Sequence, residues 1–395
     1  MSESCNSRHF SWLMKSCRPN PSDAKSLAPI HQPSPVASSA STETEISSLP
    51  DDLLLECLSR IPSSYIPSLA AVCRRWSRLL LSPYFLHLRR RLGLLRHSLL
   101  AISAVESGLF AAILQFQCET GGWRVSFAAS SSSSTCFDGG QVGLAHARAV
   151  AIGSRVYVVS RNSVLRYNSW MGTVTVRSPM LFPRKKFAMA VVSGKIYVAG
   201  GGGGGSGVAA AVEEYDPQKN RWRVVAQAPR RRYGCIGTAL DGVFYVIGGL
   251  KIVNDLSRAA AAGAAAAEAP VYASSMDLFD VGASQWPFWR FHALRHRTGG
   301  GGGALGEWRR LRSPPLPPQV RLDGTVRFSC VGVEDKVAVV QVVGCIDDLL
   351  RRSGRSERGL RESLVLVYDT AEGEWKRGAD LPEVISRAAC ACVEW

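Results

Sequence analysis

The sequence predicts a mainly β protein, a ring of small four-stranded sheets behind a short all-helical segment and a polar tail. Three observations carry that expectation. A Tyr-Asp pair stands at a fixed interval before a Trp at Tyr215, Asp216 and Trp222 and again at Tyr368, Asp369 and Trp375. The interval recurs at Phe279, Asp280 and Trp286, and in a worn copy that pairs Tyr167 with Val174. Short apolar runs end in paired glycines, Gly200-Gly201 after "KIYVA" and Gly248-Gly249 after "VFYVI". Between Leu49 and Leu92 the apolar spacing is helical instead.

Composition sets the bounds. Apolar residues make up 46% of the 395 and charged ones 20%, as in an ordinary globular chain with a sizeable core. No apolar run reaches the length of a membrane span, and the N-terminus lacks the apolar block of a secretory signal, so a cytoplasmic or nuclear protein is expected. Eleven cysteines with no CxxC pair and no metal-ligand spacing point to reduced thiols and no metal site. Cys390 and Cys392 fall on one face of an expected strand, as core residues do. The net charge of +15 invites a nucleic-acid reading, but the basic residues come in short knots: Arg89 to Arg91, Arg230 to Arg232, Arg309-Arg310 and Arg351-Arg352. A phosphate-binding face needs them gathered with stacking aromatics. Solvated loops, with an acidic partner, fit the pattern better.

Residues 1–48 are Ser- and Pro-rich, too poor in apolar side chains to fold alone, and are expected to be a disordered tail. From Leu49 onward Asp51 and Asp52 suit a helix start, and Leu53, Leu54, Cys57 and Leu58 share a helical face. Pro62 ends that helix. Pro67 and Ser68 open the next, whose face runs through Leu69, Val72, Cys73, Trp76 and Leu80. About 40 residues bury little alone, so this unit is expected to dock on a neighbour. The segment 49–93 resembles the F-box. Leu49-Pro50 opens it, Ile61-Pro62 follows, Val72-Cys73-Arg74-Arg75-Trp76 matches the family's signature, and Ser82-Pro83-Tyr84-Phe85 fits its tail. The resemblance implies binding to a Skp-type adaptor, and through it to a cullin scaffold. The residues it nominates for that contact are Leu49, Pro50, Leu53, Leu54, Ile61, Val72 and Trp76.

From residue 94 to 395 the period is 40–50 residues, each unit made of short strands and turns, which reads as a propeller. Tyr215 and Asp216 end one strand, "PQKN" turns, and Trp222 opens the return strand with its ring between adjacent sheets. Gly200 and Gly248 permit tight backbone where strands crowd. Diglycine, then Tyr-Asp, then Trp resembles the kelch motif, and an F-box followed by kelch repeats is a combination abundant in plants. Blades are expected at 146–180, 187–228, 234–286 and 326–378, with a worn one at 98–128 ending in Trp123. The last residues, "RAACACVEW", look like a first strand without a blade and are predicted to complete the 98–128 blade and close the ring. Only 22 residues separate Trp286 from Trp308, so a blade over 287–312 is either a stub or the product of a shortened gene model: the ring counts six with it and five without.

Other features carry blander readings. The glycine run from Gly200 to Gly205 lacks a following Lys-Ser/Thr and reads as a loop. His292 and His296, four apart, lie in an irregular stretch, the Ala-rich run at 259–269 is a surface insertion, and "PPLPP" at 314–318 is a loop. Beyond residue 97 only His146, His292 and His296 are available, too few at no useful spacing for the copper-oxidase chemistry some kelch-like propellers carry. The combined resemblance implies a non-catalytic substrate receptor of a Skp–cullin–F-box ubiquitin ligase, with no cofactor and an unknown protein as target. A kelch scaffold without a ligase, and a propeller that binds a small molecule or sugar, remain the alternatives.

Overall fold

The computed structural model describes residues 46–105, 108–115, 122–127, 129–130, 144, 146–202, 210–251, 275–286, 313–315, 327–342, 364–385 and 388–394. The tail through residue 45, the stub at 287–312 with Trp308, His292, His296 and the Ala-rich run lie outside them. The chain divides into two units, Met1–Leu95 and Arg96–Trp395.

Among its described residues the first unit holds four short α-helices. Helix α1 (Asp51–Ser59) starts after Pro50, with both aspartates in its first turn, where N–H groups lack partners. Helix α2 (Ile66–Ala70) is separate from α3 (Arg74–Leu80), where the apolar spacing predicts one continuous helix. The break is at Cys73, whose backbone is extended and whose Sγ accepts from the Trp76 N–H at 3.5 Å. A cysteine thus caps α3 as a serine would. Helix α4 (Pro83–Arg91) has a conventional start: Ser82 Oγ accepts from the Phe85 N–H at 3.2 Å, and Pro83 sits where no N–H is needed.

The buried stripe of α1 is Leu54, Leu55 and Leu58. Leu53, expected on it, is 51% exposed, and Cys57 is exposed too. Two adjacent i, i+4 stripes are available on this helix, and α3 and α4 pack against the second. Arg89 is the other departure. Expected in a solvated knot, it is 1% exposed, and Nη1 donates to the carbonyls of Ser59 at 3.1 Å and Ile61 at 2.6 Å. Its Nη2 donates to Ser63 Oγ at 2.8 Å, so the end of α1 is stitched to α4 by one guanidinium.

The second unit is a propeller with five blades among the described residues. Blade I begins with β1 (His97–Val105), β2 (Gly108–Gln115) and β3 (Trp123–Phe127). Blade II has β4 (Ala129–Ser130), β5 (Arg148–Ile152), β6 (Arg155–Val159), β7 (Val164–Asn168) and β8 (Thr173–Arg177). Blade III is β9 (Ala188–Val192), β10 (Lys195–Ala199), β11 (Ala211–Asp216) and β12 (Arg221–Gln227). In blade IV the short β13 (Arg232–Tyr233) precedes β14 (Ile236–Leu240) and β15 (Val243–Ile247), and β16 (Leu250–Lys251) precedes β17 (Met276–Asp280). Blade V is β18 (Arg327–Val333), β19 (Lys336–Val342), β20 (Val365–Asp369) and β21 (Glu374–Arg377).

Neighbouring strands are antiparallel throughout, except that β4 adds to the outer edge of β8 in parallel, a strand the repeat spacing does not announce. Among the described residues the fourth strand of blade IV shows as one bridge, between Asp280 and Gln285. The C-terminal β22 (Ala389–Glu394) pairs antiparallel with β1, Cys392 opposite Leu99 and Cys390 opposite Ala101. It is the inner strand of blade I, so the predicted closing strand is found where it was placed.

Inner strands adjoin in the order β18, β22, β5, β9, β14. Strands β14 and β18, the inner strands of the successive blades IV and V, do not pack on each other in this way. Gly237 and Ala239 of β14 face β9, while Ile236 and Leu240 on its other face are 57% and 56% exposed. The apolar cores lie between blades: one joins blades V and I through Val331, Ala338, Leu99 and Cys390, and others join II to III and III to IV. That is the expected logic of thin sheets that bury their faces only by stacking.

Candidate functional site

The seven-residue interval has a local cause. Tyr215 and Trp222 are direct cross-strand partners, as are Tyr368 and Trp375, and Tyr167 and Val174 in the worn copy. The rings meet at the same spacing: 4.9 Å between centroids for Tyr215 and Trp222, and 5.1 Å for both Phe279–Trp286 and Tyr368–Trp375. The acidic residue folds the turn between them. Asp216 Oδ1 accepts from the N–H groups of Gln218 and Lys219 at 2.9 and 3.1 Å, and Asp369 Oδ1 from Ala371 and Glu372 at 3.0 and 3.2 Å. Asp280 Oδ1 accepts from Ala283, and Asn168, where the pattern has Asn for Asp, accepts from Trp170 and Met171. The residue four after it has positive φ in all four copies: Gly172, Asn220, Ser284 and Gly373.

Trp222 is 4% exposed and lies in the core between blades II and III. Its indole N–H donates to the Ser178 carbonyl at 2.8 Å, just past the outer strand of blade II. Trp123 repeats this on the Ala379 carbonyl at 2.9 Å, past the outer strand of blade V. Each ring is thereby fixed to the blade before it. Trp286, in blade IV, packs in the core between blades III and IV, but its buried Nε1 has no hydrogen-bond partner.

The glycine pairs serve close approach. Gly200 and Gly201 have φ of 70° and 84°, and a side chain on them would meet the Arg232 carbonyl at 2.7 Å and the Lys185 carbonyl at 2.8 Å. Gly248 and Gly249 have φ of 68° and 90°, and a side chain on Gly249 would meet the Tyr233 carbonyl at 2.9 Å. The glycines make room for the loops that carry the arginines.

Two of those arginines are buried, which sequence reasoning missed. Arg184 and Glu213 are both 0% exposed, with Nη2 to Oε1 at 2.6 Å and Nε to Oε1 at 3.0 Å, and Arg184 Nη1 donates to the Gly200 carbonyl at 3.0 Å. One blade on, Arg232 Nε donates to Asp277 Oδ2 at 2.7 Å and Nη1 to the Gly248 carbonyl at 2.8 Å. Each arginine stands four residues before an inner strand, and each acid two before the Tyr or Phe of the repeat. That shared offset is the signal that could have found them. In blade II the same two positions hold Leu144 and Leu165, both buried.

A third acid, Glu214, lines a cleft of about 190 Å³ with Lys195, Tyr197, Arg223 and Phe279. Burial pushes its carboxyl up, but hydrogen bonds from Arg223, Lys195 and Tyr197 outweigh that and bring it down to about 2. Burial and the same carboxylate hold the Tyr197 hydroxyl above its usual range. The four groups satisfy one another. Among the described residues no cluster of His, Cys, Asp and Glu could hold a metal ion, and no helix is long and apolar enough to cross a membrane.

On the helical unit the nominated residues separate. Leu54 and Trp76 are buried, 2% and 6% exposed, and belong to the core of the unit. Leu49, Ile61 and Val72 are half-buried, and Pro50 and Leu53 are exposed. Tyr65 and Tyr84, which sequence reasoning did not nominate, add apolar surface at 47% and 51% exposure. Asp51 and the Leu49 carbonyl both accept from Arg75, which fixes the start of α1.

Comparison with known proteins gives several matches. A family model of the F-box domain matches residues 46–88, and one of the kelch motif matches residues 183–229. An F-box/kelch-repeat protein of Arabidopsis thaliana, At5g26960, is 70% identical over 100% of both chains. Two more from the same plant match about half of each chain. F-box/kelch-repeat protein At1g67480 is 26% identical over 52% of this chain and 54% of its own, and OR23 is 31% identical over 50% of each. Among solved structures, one titled "Structure of YjhT" matches at 18% identity over 62% of this chain and 67% of that one, with a TM-score of 0.35.

Proposed function

The chain belongs to the F-box/kelch-repeat proteins, and on that premise we propose that it is the substrate-recognition subunit of a Skp–cullin–F-box ubiquitin ligase. One observation supports it most. The helical unit completes its own core with Leu54, Leu58, Trp76 and Phe85, yet keeps Leu53, Tyr65 and Tyr84 on its surface. Apolar side chains left outside a satisfied core mark a docking face. In this reading Leu53 and Pro50, with the accessible parts of Leu49, Ile61 and Val72, meet a Skp-type adaptor that leads to the cullin. Leu54 and Trp76 act by holding the face in shape. The propeller binds the protein to be ubiquitinated. The chain performs no covalent step and needs no cofactor; it raises the effective concentration of target beside the ligase, in the cytoplasm or nucleus.

Leu53→Asp tests this without touching the core. It is expected to abolish co-purification with a co-expressed Skp-type adaptor while stability changes by no more than about 0.5 kcal/mol. Leu49→Ala with Pro50→Ala is expected to weaken the same contact. An adaptor retained by both variants would overturn the ligase role and leave the propeller as a scaffold. Thermal stabilisation by a sugar or small-molecule set would point to a ligand-binding propeller instead.

A further inference from the structure

Basic runs far apart in the sequence meet at one end of the propeller, where the outer strand of a blade passes to the inner strand of the next. The run 184–186 precedes β9 and the run 230–232 precedes β14. The Gly234 N–H donates to the Lys186 carbonyl at 2.8 Å, and the Lys186 ammonium lies 5.5 Å from the Tyr233 ring centre. Arg148 opens β5, one blade earlier. The guanidinium groups of Arg148, Arg184 and Arg232 all lie close enough to the Cys235 thiol to act on it. Two carboxylates answer this charge: Glu213 takes Arg184, and Asp277 takes Arg232 and, at 3.2 Å, Arg230.

Arg148 is left over. No carboxylate among the described residues pairs with it, nor with Lys185 or Lys186. Strand register puts Arg148 where blade III has Ala188 and blade IV has Ile236. The chain thus replaces an apolar repeat position with a cation. Burial lowers the Arg148 pKa, and the Cys235 thiol opposes this only in part. A half-buried, unpaired guanidinium costs stability, and such a cost is kept where a ligand repays it.

We infer that this end of blades II to IV binds an acidic segment of a protein partner, with Arg148 taking a carboxylate and the runs around it the neighbouring ones. The inference rests on the propeller being the recognition part and names the chemistry of its target. Carboxylates already match these loops: Glu213 Oε1 accepts from both Nε and Nη2 of Arg184, and Asp277 Oδ2 accepts from Nε of Arg232. Nucleic acid would want a row of stacking rings, whereas among the described residues the cations here meet two separate ones, Phe182 beside Arg184 and Tyr233 beside Lys186.

The full chain is titrated with a short fluorescein-labelled oligoglutamate peptide, followed by anisotropy at several salt concentrations. Saturable binding that weakens with salt is expected. Arg148→Met is expected to weaken it about tenfold or more while the Tm holds or rises, because an unpaired charge is removed. Lys185→Ala with Lys186→Ala is expected to weaken it as well, and Arg221→Ala, at the opposite end of blade III, to leave it unchanged. Absence of binding, equal affinity of Arg148→Met, or a lower Tm in that variant would each overturn the inference. So would tighter binding of a phosphopeptide or single-stranded DNA of the same length. Adaptor co-purification, read on the same samples, reports on the helical unit alone, so the two readings fail separately.

Discussion

At the scale of single residues, short polar side chains act locally and acidic ones act in pairs. In folding the turn, the Asp of each repeat serves through its oxygen rather than its charge, because Asn168 folds its turn as Asp216 does; Asp369 also pairs with Lys336 at 2.8 Å. Asn220 adds more: its Oδ1 accepts from the Tyr215 hydroxyl at 2.8 Å and from the Ser178 N–H at 3.0 Å, which ties the turn of blade III to blade II. Glu214 carries the one prediction that depends on pH. Its folded pKa of about 2 lies below the ordinary 4.5, so its stabilising effect is fully present above about 4.5 and is lost as pH falls towards 2. Melting measured from pH 6 down to 2 should therefore drop more steeply in the native chain than in Glu214→Gln. Equal acid limbs would show that Lys195, Tyr197 and Arg223 do not hold the carboxylate down.

At the scale of elements, two solutions to one packing problem stand side by side. Blades III and IV close the gap between loop and strand with an arginine and an acid, where blade II uses Leu144 and Leu165. Buried ion pairs are costly to break and cheap to replace as a unit. Glu213→Leu alone leaves the fully buried Arg184 without its carboxylate and is expected to cost about 3–5 kcal/mol. Adding Arg184→Leu is expected to recover most of that. About 1–2 kcal/mol should remain lost, because the Leu181 N–H and the Gly200 carbonyl give up partners. Urea denaturation of both variants decides it: a double variant as unstable as the single one would mean the pair is irreplaceable. On the helical unit, Arg89 pairs with no acid among the described residues: Nη1 and Nη2 donate to backbone carbonyls and a serine hydroxyl, and its buried Nε has no partner.

At the scale of the whole molecule, closure depends on the last described strand. β22 pairs with β1, packs between β5 and β18, and contributes Cys390 to the core that joins blades V and I. The Trp123 indole reinforces the same seam through the Ala379 carbonyl. Removing residues 388–395 strips the inner strand from blade I and opens that core. The expected result is a fall in Tm of more than about 10 °C or loss of a single cooperative transition in calorimetry. A native-like melt after the deletion would mean that the blades hold without the seam. At the other side of the ring, β14 turns exposed Ile236 and Leu240 away from β9.

The amino-acid order alone determined the repeat, the hairpin register and the closing strand. Those depend on contacts within about eight residues, such as Asp216 to Lys219, or on a pattern that several blades state independently. Only the tertiary structure decided which leucine stripe of α1 is buried, that Cys73 interrupts a helix, and that Arg89, Arg184 and Arg232 leave solvent. Their partners lie 28, 29 and 45 residues away, and a charged side chain looks the same in sequence whether water or a distant carboxylate surrounds it. The gathering of separate basic runs around Arg148 is of the same kind. It follows from the winding of the blades about one axis, which sets loops of successive repeats side by side.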